Sequence, residues 1–255
     1  MILMYHNVAE EMGYNTLPLA QLEKQLEYLH ERVELLSIKD YVDRVMDGGT
    51  TDEMATLTFD DGYISFEELV LPALEKYQIP ASLYIPAAHI ATHNRWDKEN
   101  TDVEIPILDW EGIRRMANHP LVTIGSHSMT HKKIGLLPED EIRFEIMESK
   151  KLLEKGLGQP VEYFTFHFGQ LVDMGDYAFE VLEEAGYRAA CSTLWGLTNL
   201  KGHRYRLHRI AVDPTDDMAS FKKKCEQKFH PSYFKRHAKE YLYQLGIKVQ
   251  VHKSL

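Results

Sequence analysis

Two adjacent carboxylates, Asp60 and Asp61, are the residues of this chain best placed to do chemistry. They follow the apolar run MATL at 54–57 and precede Gly62, which predicts a short buried strand ending in a tight turn. Adjacent carboxylates repel each other and are costly to bury unless a cation or a proton gives them different roles. We therefore expect one of them to bind a metal and the other to act as a base.

A pair of histidines, His127 and His131, could supply further metal ligands. They follow a second apolar run, LVTIG at 121–125, which also predicts a buried strand. Residues i and i+4 of a helical turn face the same way, with Cβ atoms about 6 Å apart. Two histidines and Asp61 leave open positions on a divalent ion, as in a catalytic metal site. Each motif alone is common by chance, but together at two strand ends they indicate a metal site.

The two motifs, TFDDG and SHSMTH, resemble the first two motifs of the polysaccharide deacetylases, which are metal-dependent carbohydrate esterases of family 4 with a NodB homology domain. The resemblance extends over residues 1–213 and includes the opening segment MILMYHNV and the late segment LHRI. It implies an α/β fold, a distorted (β/α) barrel of about seven strands with its site at their carboxyl ends. We expect residues 214–255 to form a basic helical extension packed on the barrel or on a partner.

The resemblance also implies roles for individual residues. Asp60 matches the catalytic base, and Asp61, His127 and His131 match the ligands of a divalent metal. Zinc is the expected ion, with Co²⁺, Ni²⁺, Mn²⁺ or Fe²⁺ as alternatives. The backbone N–H of Phe168 matches the donor that stabilises the oxyanion.

The third motif departs from the family pattern, because this chain reads FTFHFG at 164–169. Thr165 stands where an arginine is often found, and His167 replaces a proline. His167 is therefore either a new acid/base or metal ligand, or only a loop side chain. Arg209 could supply the positive charge that Thr165 cannot.

The general acid of the family is a histidine in a late Leu-x-His motif. Here the matching segment is RLHRI at 206–210, so His208 fits with a spacing one residue short. His208 either holds that role or caps a strand. The candidate contacts to the substrate are Tyr63, Trp96, Trp195 and Arg209. Trp96 lies in a long irregular segment, where it could stack on a sugar or pack against its own loop.

Hydrophobic periodicity predicts alternating helices and strands, as a parallel α/β fold requires. Helices are expected over 64–77, over 138–157 with Gly158 closing the helix, and over 177–184. A strand is expected over 33–38.

Length and composition suit one enzyme-sized domain, because 255 residues with 44% apolar content can fill a single barrel. No apolar run is long enough to predict a membrane span. The first residues lack the basic region of a signal peptide, and the two cysteines are too few for a disulfide framework. We therefore expect a cytoplasmic protein.

Charge is unevenly distributed along the chain. Residues 222–255 contain nine Lys and Arg against two Glu, a net charge of +7, whereas the whole chain has −10. This basic tail could dock on an anionic membrane surface, or pack on the acidic barrel or a second subunit, which we favour. No nucleic-acid partner is expected.

These features together predict metal-dependent removal of the N-acetyl group from an acetamido sugar in a glycan or glycan precursor. Two other functions stay open. A glycan-binding relative without activity would account for the altered third motif, and a non-haem iron enzyme could use the same two-histidine, one-carboxylate set.

Overall fold

Seven parallel strands close into a barrel in the computed structural model, which describes residues 1–51, 53–197 and 199–226. Around the barrel the order is β1, β5, β6, β7, β8, β9 and β10, and β10 returns to β1. The strands are β1 (Ile2–Tyr5), β2 (Asn7–Ala9), β3 (Thr16–Pro18), β4 (Glu34–Leu35), β5 (Met54–Phe59), β6 (Ala81–Ile85), β7 (Val122–Ser126), β8 (Tyr163–Thr165), β9 (Ala189–Trp195) and β10 (Leu207–Ala211). The predicted barrel of about seven strands is confirmed.

Helices follow most of the barrel strands and cover the outside of the barrel. They are α1 (Leu19–His30), α2 (Ile38–Met46), α3 (Leu71–Tyr77), α4 (Trp110–Ala117), α5 (Glu139–Arg143), α6 (Ser149–Leu157), α7 (Leu171–Met174), α8 (Asp176–Glu184) and α9 (Met218–Glu226). A π-helical turn, Phe66–Val70, leads into α3, and another, Phe144–Glu148, joins α5 to α6. The three predicted helices are therefore present, and Gly158 ends α6 in the left-handed conformation at φ +71°.

The strand expected over 33–38 is much shorter than predicted. Only Glu34–Leu35 pairs with β5, because the chain turns into α2 at Ile38. The Ser37 hydroxyl accepts the backbone N–H of Asp40 at 3.1 Å and so caps the first turn of α2. The helix-starting tendency of Ser37 as an N-cap therefore outweighed the strand tendency of the β-branched and apolar residues around it.

The core lies inside the barrel and between its strands and the helices. Phe59 stacks on Tyr5 at 5.0 Å and meets Phe66 edge to face at 5.1 Å, which joins β1, β5 and the first helical turn after β5. A second cluster combines the first residues of β1, β8, β9 and β10 with the apolar face of α2. Helix α2 thus closes the amino-terminal end of the barrel and leaves the carboxyl end open.

The beginning of the C-terminal region packs on the barrel. Phe221 of α9 meets Tyr28 of α1 edge to face at 6.1 Å, and the Tyr28 hydroxyl donates to Glu226 at 2.5 Å. The rest of the basic tail, from 227 to 255, lies outside the described residues, so the boundary at 213 stays a prediction. None of the helices in the described part of the chain has the length and apolar character to span a membrane.

Candidate active site

A cleft at the carboxyl ends of the barrel strands brings the predicted chemical residues together. Its walls include Asp60 and Asp61 after β5, His127 after β7 and His167 after β8. All the barrel strands are parallel, so their carboxyl ends share one rim, and the loops that follow them meet there.

Asp61, His127 and His131 form a compact group in this cleft. Oδ1 of Asp61 lies 3.4 Å from Nε2 of His127 and 3.2 Å from Nε2 of His131. All three side chains are at most 8% exposed. Burial alone would raise the pKa of Asp61, but hydrogen bonds from both histidines outweigh it and hold that pKa well below its ordinary value.

The two histidines do not lie on a helical turn, so that part of the prediction is wrong. The segment after β7 is an irregular loop in which Ser128 and His131 have φ values of +57° and +61°. These left-handed residues bend the chain sharply enough to return the His131 ring to within 5.1 Å of the His127 ring. The structure does bring together the two histidines that the i, i+4 spacing indicated, but a bent loop and not a helical turn does so.

A buried carboxylate, Glu145, holds this loop in place and was not predicted from the sequence. It is 1% exposed, and its Oε2 accepts Ser128 Oγ at 2.8 Å and the backbone N–H groups of Met129 and Thr130 at 3.0 and 2.8 Å. The Thr130 hydroxyl donates to its other oxygen. A sequence signal did exist, because this acid interrupts the apolar stripe of the helix over 138–157. The π-helical turn that contains it is a feature often found at functional sites.

The carbonyl of Thr165 fixes the orientation of His127. Nδ1 of His127 lies 3.1 Å from the Thr165 carbonyl oxygen and 2.5 Å from its hydroxyl. A carbonyl only accepts, so when Nδ1 donates to it, Nε2 is left able to bind a metal. Metal-binding histidines in proteins are commonly oriented in this way.

Asp60 forms a buried bidentate ion pair with Arg209 of β10. Nη1 and Nη2 of Arg209 each lie 2.8 Å from one carboxylate oxygen, and its Nε donates to the Ser192 carbonyl at 2.8 Å. Burial raises the pKa of Asp60, but the charge of Arg209, followed by that of His127, outweighs burial and lowers it. Asp60 is therefore an ionised carboxylate with a fixed orientation beside the histidine group.

His167 is buried against the same group. Its Nδ1 lies 3.2 Å from Nε2 of His127, and its Nε2 lies 2.6 Å from the Ser128 hydroxyl. Burial, followed by the charges of His127 and His131, holds the pKa of His167 well below its ordinary value. A histidine that stays neutral at physiological pH is a poor proton donor, which disfavours the acid/base role considered for it.

Phe168 projects into the cleft from a tight turn after β8. Phe168 and Gly169 have consecutive left-handed φ values of +55° and +50°. Thr193 of β9 ties the turn down, since its N–H donates to the Gly169 carbonyl at 3.1 Å and its hydroxyl donates to the Phe168 carbonyl. A Cβ atom on Gly169 would come within 2.5 Å of the Thr193 nitrogen, so this close approach requires glycine. Among the described residues, no acceptor takes the Phe168 N–H.

The sequence profile described as "Polysaccharide deacetylase" matches residues 47–190, which is more than half of the chain. The chain belongs to the polysaccharide deacetylase family. YxkH of Bacillus subtilis (strain 168), whose name assigns it to the polysaccharide deacetylases, is 24% identical over 215 residues, which are 84% of this chain and 71% of YxkH.

Two solved structures share the fold of this polysaccharide deacetylase family member. IcaB from Ammonifex degensii superposes with a TM-score of 0.77 at 19% identity and covers 89% of this chain and 96% of its own. The deacetylase PplD of Streptococcus pyogenes, solved in complex with acetate, superposes with a TM-score of 0.72 at 19% identity and covers 89% of this chain and 97% of its own.

His208, predicted as a family acid, does not reach the cleft. Arg209 points to Asp60, whereas His208 is buried and does not belong to the described wall of the cleft. The His208 ring packs 4.5 Å from the His203 ring, and its backbone exchanges hydrogen bonds with Asn199. The resemblance identified the segment, and within it Arg209 rather than His208 contacts a cleft residue.

Three of the predicted substrate contacts lie away from the cleft. Arg209 is fully buried behind Asp60. Tyr63 is 1% exposed and packs with Ile105 and Ile107, where burial and then the charge of Asp61 raise its pKa. Trp195, at the end of β9, packs against the main core. None of the three belongs to the described wall of the cleft.

Trp96 does line the cleft, and its ring stacks on that of His131 at 4.1 Å with an angle of 13°. One ring face therefore supports a candidate ligand, and Trp96 packs at the site.

His6 is a cleft residue that sequence analysis missed. It follows β1 directly and is half-buried. Against the effect of burial, the charge of His6 also helps to lower the pKa of Asp60 and of Asp61. Its position after a predicted parallel strand was the available signal, because side chains at such positions meet at the rim of the barrel.

Proposed function

We propose that this protein is a metal-dependent hydrolase that removes the N-acetyl group from an acetamido sugar in a glycan or glycan precursor. One observation carries the proposal. An ionised carboxylate, Asp60, is fixed by Arg209 directly beside a group of metal-ligand side chains in an open cleft. That pairing gives amide hydrolysis both a base and an electrophilic centre.

The residues present fit a divalent metal. The carboxylate of Asp61 and the two Nε2 atoms of His127 and His131 converge, and each is of a type that binds zinc or a similar ion. A bound ion would polarise the acetyl carbonyl and lower the pKa of water. Zn²⁺ is the favoured ion, with Co²⁺, Ni²⁺, Mn²⁺ and Fe²⁺ as alternatives.

Asp60 takes the proton of the attacking water. Arg209 occupies one lone pair on each carboxylate oxygen, and a carboxylate has about four such positions, so Asp60 can still accept a proton. The guanidinium keeps the base ionised and stops it from rotating toward Asp61. Two adjacent carboxylates thereby hold separate roles.

The other cleft residues complete the reaction. The Phe168 N–H donates to the developing oxyanion, which is the interaction that stabilises acyl-transfer transition states most. His6 protonates the leaving amine, because it is a histidine in the cleft that is not held within the metal-ligand group. Trp96 offers an aromatic surface to the sugar ring.

The buried Asp60–Arg209 pair favours catalysis over glycan binding alone. Burying two charges is costly, and replacing such a pair by apolar residues is often neutral or stabilising. A binding site has no use for an oriented base at that cost. The structure offers no observation that favours an iron oxygenase over a hydrolase.

The compartment and the natural substrate stay predictions. We expect the chain to act in the cytoplasm, peripherally on the inner membrane face if the tail docks there, on a lipid-linked or nucleotide-linked precursor. Contact of the basic tail with a membrane or with a second subunit also remains to be measured.

Acetate release from N-acetylchitooligosaccharides and from UDP-N-acetylglucosamine tests the proposal directly. The purified chain should release acetate with added Zn²⁺ or Co²⁺ and lose the activity on chelation. Asp60→Asn should lose activity and keep its metal, whereas His127→Ala should lose both. His208→Ala, a histidine outside the cleft, serves as the matched control and should keep both. Metal loss in Asp60→Asn would reverse the assigned roles of base and ligand.

A further inference from the structure

His167 points one ring nitrogen at the proposed metal ligands. The ligand atoms of His127, His131 and His167 all lie within 4.8 Å of one another. Nδ1 of His167 lies 3.2 Å from Nε2 of His127, a separation comparable to those between Asp61 and the two histidines. The side chain in the proline position of the third motif is therefore part of the same group of donors.

A chain of hydrogen bonds fixes which nitrogen of His167 carries the proton. The buried carboxylate of Glu145 accepts hydrogen bonds from Ser128 and from two backbone N–H groups. The Ser128 hydroxyl therefore donates to Glu145, and its oxygen accepts from Nε2–H of His167 at 2.6 Å. The Nδ1 lone pair of His167 is left facing His127.

Nδ1 of His167 and Nε2 of His127 face each other at 3.2 Å. When Nδ1 of His127 donates to the Thr165 carbonyl, Nε2 of His127 has a lone pair as well. Two acceptor nitrogens at this distance repel unless a proton or a metal ion lies between them. Neighbouring ligand atoms around a tetrahedral zinc with bonds of 2.0–2.1 Å are about 3.3 Å apart. Three of the six separations among the ligand atoms agree with this value: Asp61–His127 is 3.4 Å, Asp61–His131 is 3.2 Å and His127–His167 is 3.2 Å.

We infer that His167 is a fourth protein ligand of the metal, which gives a site of three imidazoles and one carboxylate. The inference rests on the proposed function for the presence of the metal, and it adds a ligand at the position where family members usually have proline. A nitrogen-rich set favours Zn²⁺, Co²⁺ or Ni²⁺ over Mg²⁺ and Ca²⁺. Four protein ligands also leave fewer positions for water and substrate than three do.

The geometry opposes the two other roles considered for His167. Nε2 is engaged by Ser128 and Nδ1 faces His127, so neither nitrogen is directed at a leaving group in the cleft. A plain loop side chain would not need a buried serine and a buried glutamate to fix its orientation. Both features are typical of a metal-ligating histidine with an outer partner.

Cobalt substitution of the full-length chain tests the inference without an activity assay. The visible absorption of Co²⁺ depends on the number and type of its ligands, and competition with a chelator gives the affinity. His167→Ala should change the Co²⁺ spectrum and weaken binding at least about 10–100-fold, the loss typical of removing even an outer partner. Ser128→Ala should weaken binding less and leave the spectrum close to that of the native protein.

Three further variants separate the outcomes. His167→Gln keeps much of the side-chain volume and should behave as His167→Ala if a ligand is lost, and thermal unfolding of the metal-free variants checks that both fold. His208→Ala should leave spectrum and affinity unchanged. An unchanged spectrum and affinity in both His167 variants would overturn the fourth ligand and leave the proposed function standing. Native-like Co²⁺ binding in His127→Ala would overturn the metal site itself, and with it the proposed function.

Discussion

At the residue scale, the proposed site would assign separate tasks to two adjacent carboxylates, which have different partners. Asp60 faces a guanidinium from β10, and Asp61 faces imidazoles from the loop after β7. Burial opposes the ionisation of both, and the partners overcome it. If Asp60 faced the imidazoles and Asp61 faced the guanidinium, the two carboxylates would exchange roles. The partners therefore decide which carboxylate can bind a metal and which can act as a base.

The pH dependence of activity should report the Asp60–Arg209 pair. Asp60 works only when ionised, and Arg209 lowers its pKa, so the acidic limb of the profile that Asp60 sets should lie at low pH in the native protein. In Arg209→Met the buried carboxyl has no cation, its pKa rises, and the acidic limb of kcat/KM should move to higher pH. Arg209→Lys, which keeps the charge without the bidentate contact, should give an intermediate shift.

Arg188→Met is the matched control for this measurement, because Arg188 pairs with Asp43 outside the cleft. Its acidic limb should coincide with that of the native protein. If Arg209→Met also left the limb in place, the limb would report a group other than Asp60.

Several residues of the site were predictable because their signals are local. Asp60, Asp61, His127 and His131 each follow an apolar run, and in a parallel fold the ends of such runs meet. Glu145 and the partnership of Arg209 with Asp60 were not predicted as such. Both depend on contacts between segments far apart in sequence, 17 residues for Ser128–Glu145 and 149 for Arg209–Asp60.

At the element scale, the helix over 139–157 supports the site from outside the barrel. Its π-helical turn, Phe144–Glu148, carries Glu145 to the loop after β7, where four hydrogen bonds hold that loop in a left-handed path. Sequence periodicity gave the extent of this helix, but the π-turn that aims Glu145 had no recognised signal. In β10, Arg209 and not His208 contacts Asp60, and the pairing of β10 with β9 is irregular at these residues, which the sequence did not indicate.

Glu145→Gln should therefore weaken metal binding without touching a ligand. The amide has one acceptor oxygen instead of two, so at least one buried donor of the loop loses its partner. We expect about a 10–100-fold loss of Co²⁺ affinity, as for other outer partners. The free energy of unfolding should fall by about 1–3 kcal/mol for the unsatisfied donor.

Glu148→Gln provides the control on the same helix. Glu148 makes a surface ion pair with Lys151, and such pairs contribute about 0–1 kcal/mol. Equal losses of affinity in the two variants would mean that the helix acts only through its general stability, and not through the contact of Glu145 with the loop.

At the scale of the whole molecule, the proposed site exists only when the barrel is closed. Its residues come from β5, β7, β8 and β10, and the strand that closes the ring, β1, pairs with both β5 and β10. The Asp60–Arg209 pair reaches across that closure. The ligand set is therefore absent from the unfolded chain, and metal binding must add directly to the stability of the native state.

Metal should accordingly raise the unfolding temperature of the native protein by an amount set by its affinity. At a free Zn²⁺ concentration about 100 times Kd, binding to the native state alone adds about 2.7 kcal/mol. A chain of this size gains about 2–4 °C per kcal/mol, so Tm should rise by roughly 5–11 °C and return on chelation. Asp60→Asn should keep the rise because Asp60 is not a ligand, and His127→Ala should lose it. The size of the Tm rise in His167→Ala then measures how much the His167 imidazole contributes to metal binding. An undiminished rise in His127→Ala would mean that the metal binds elsewhere on the chain.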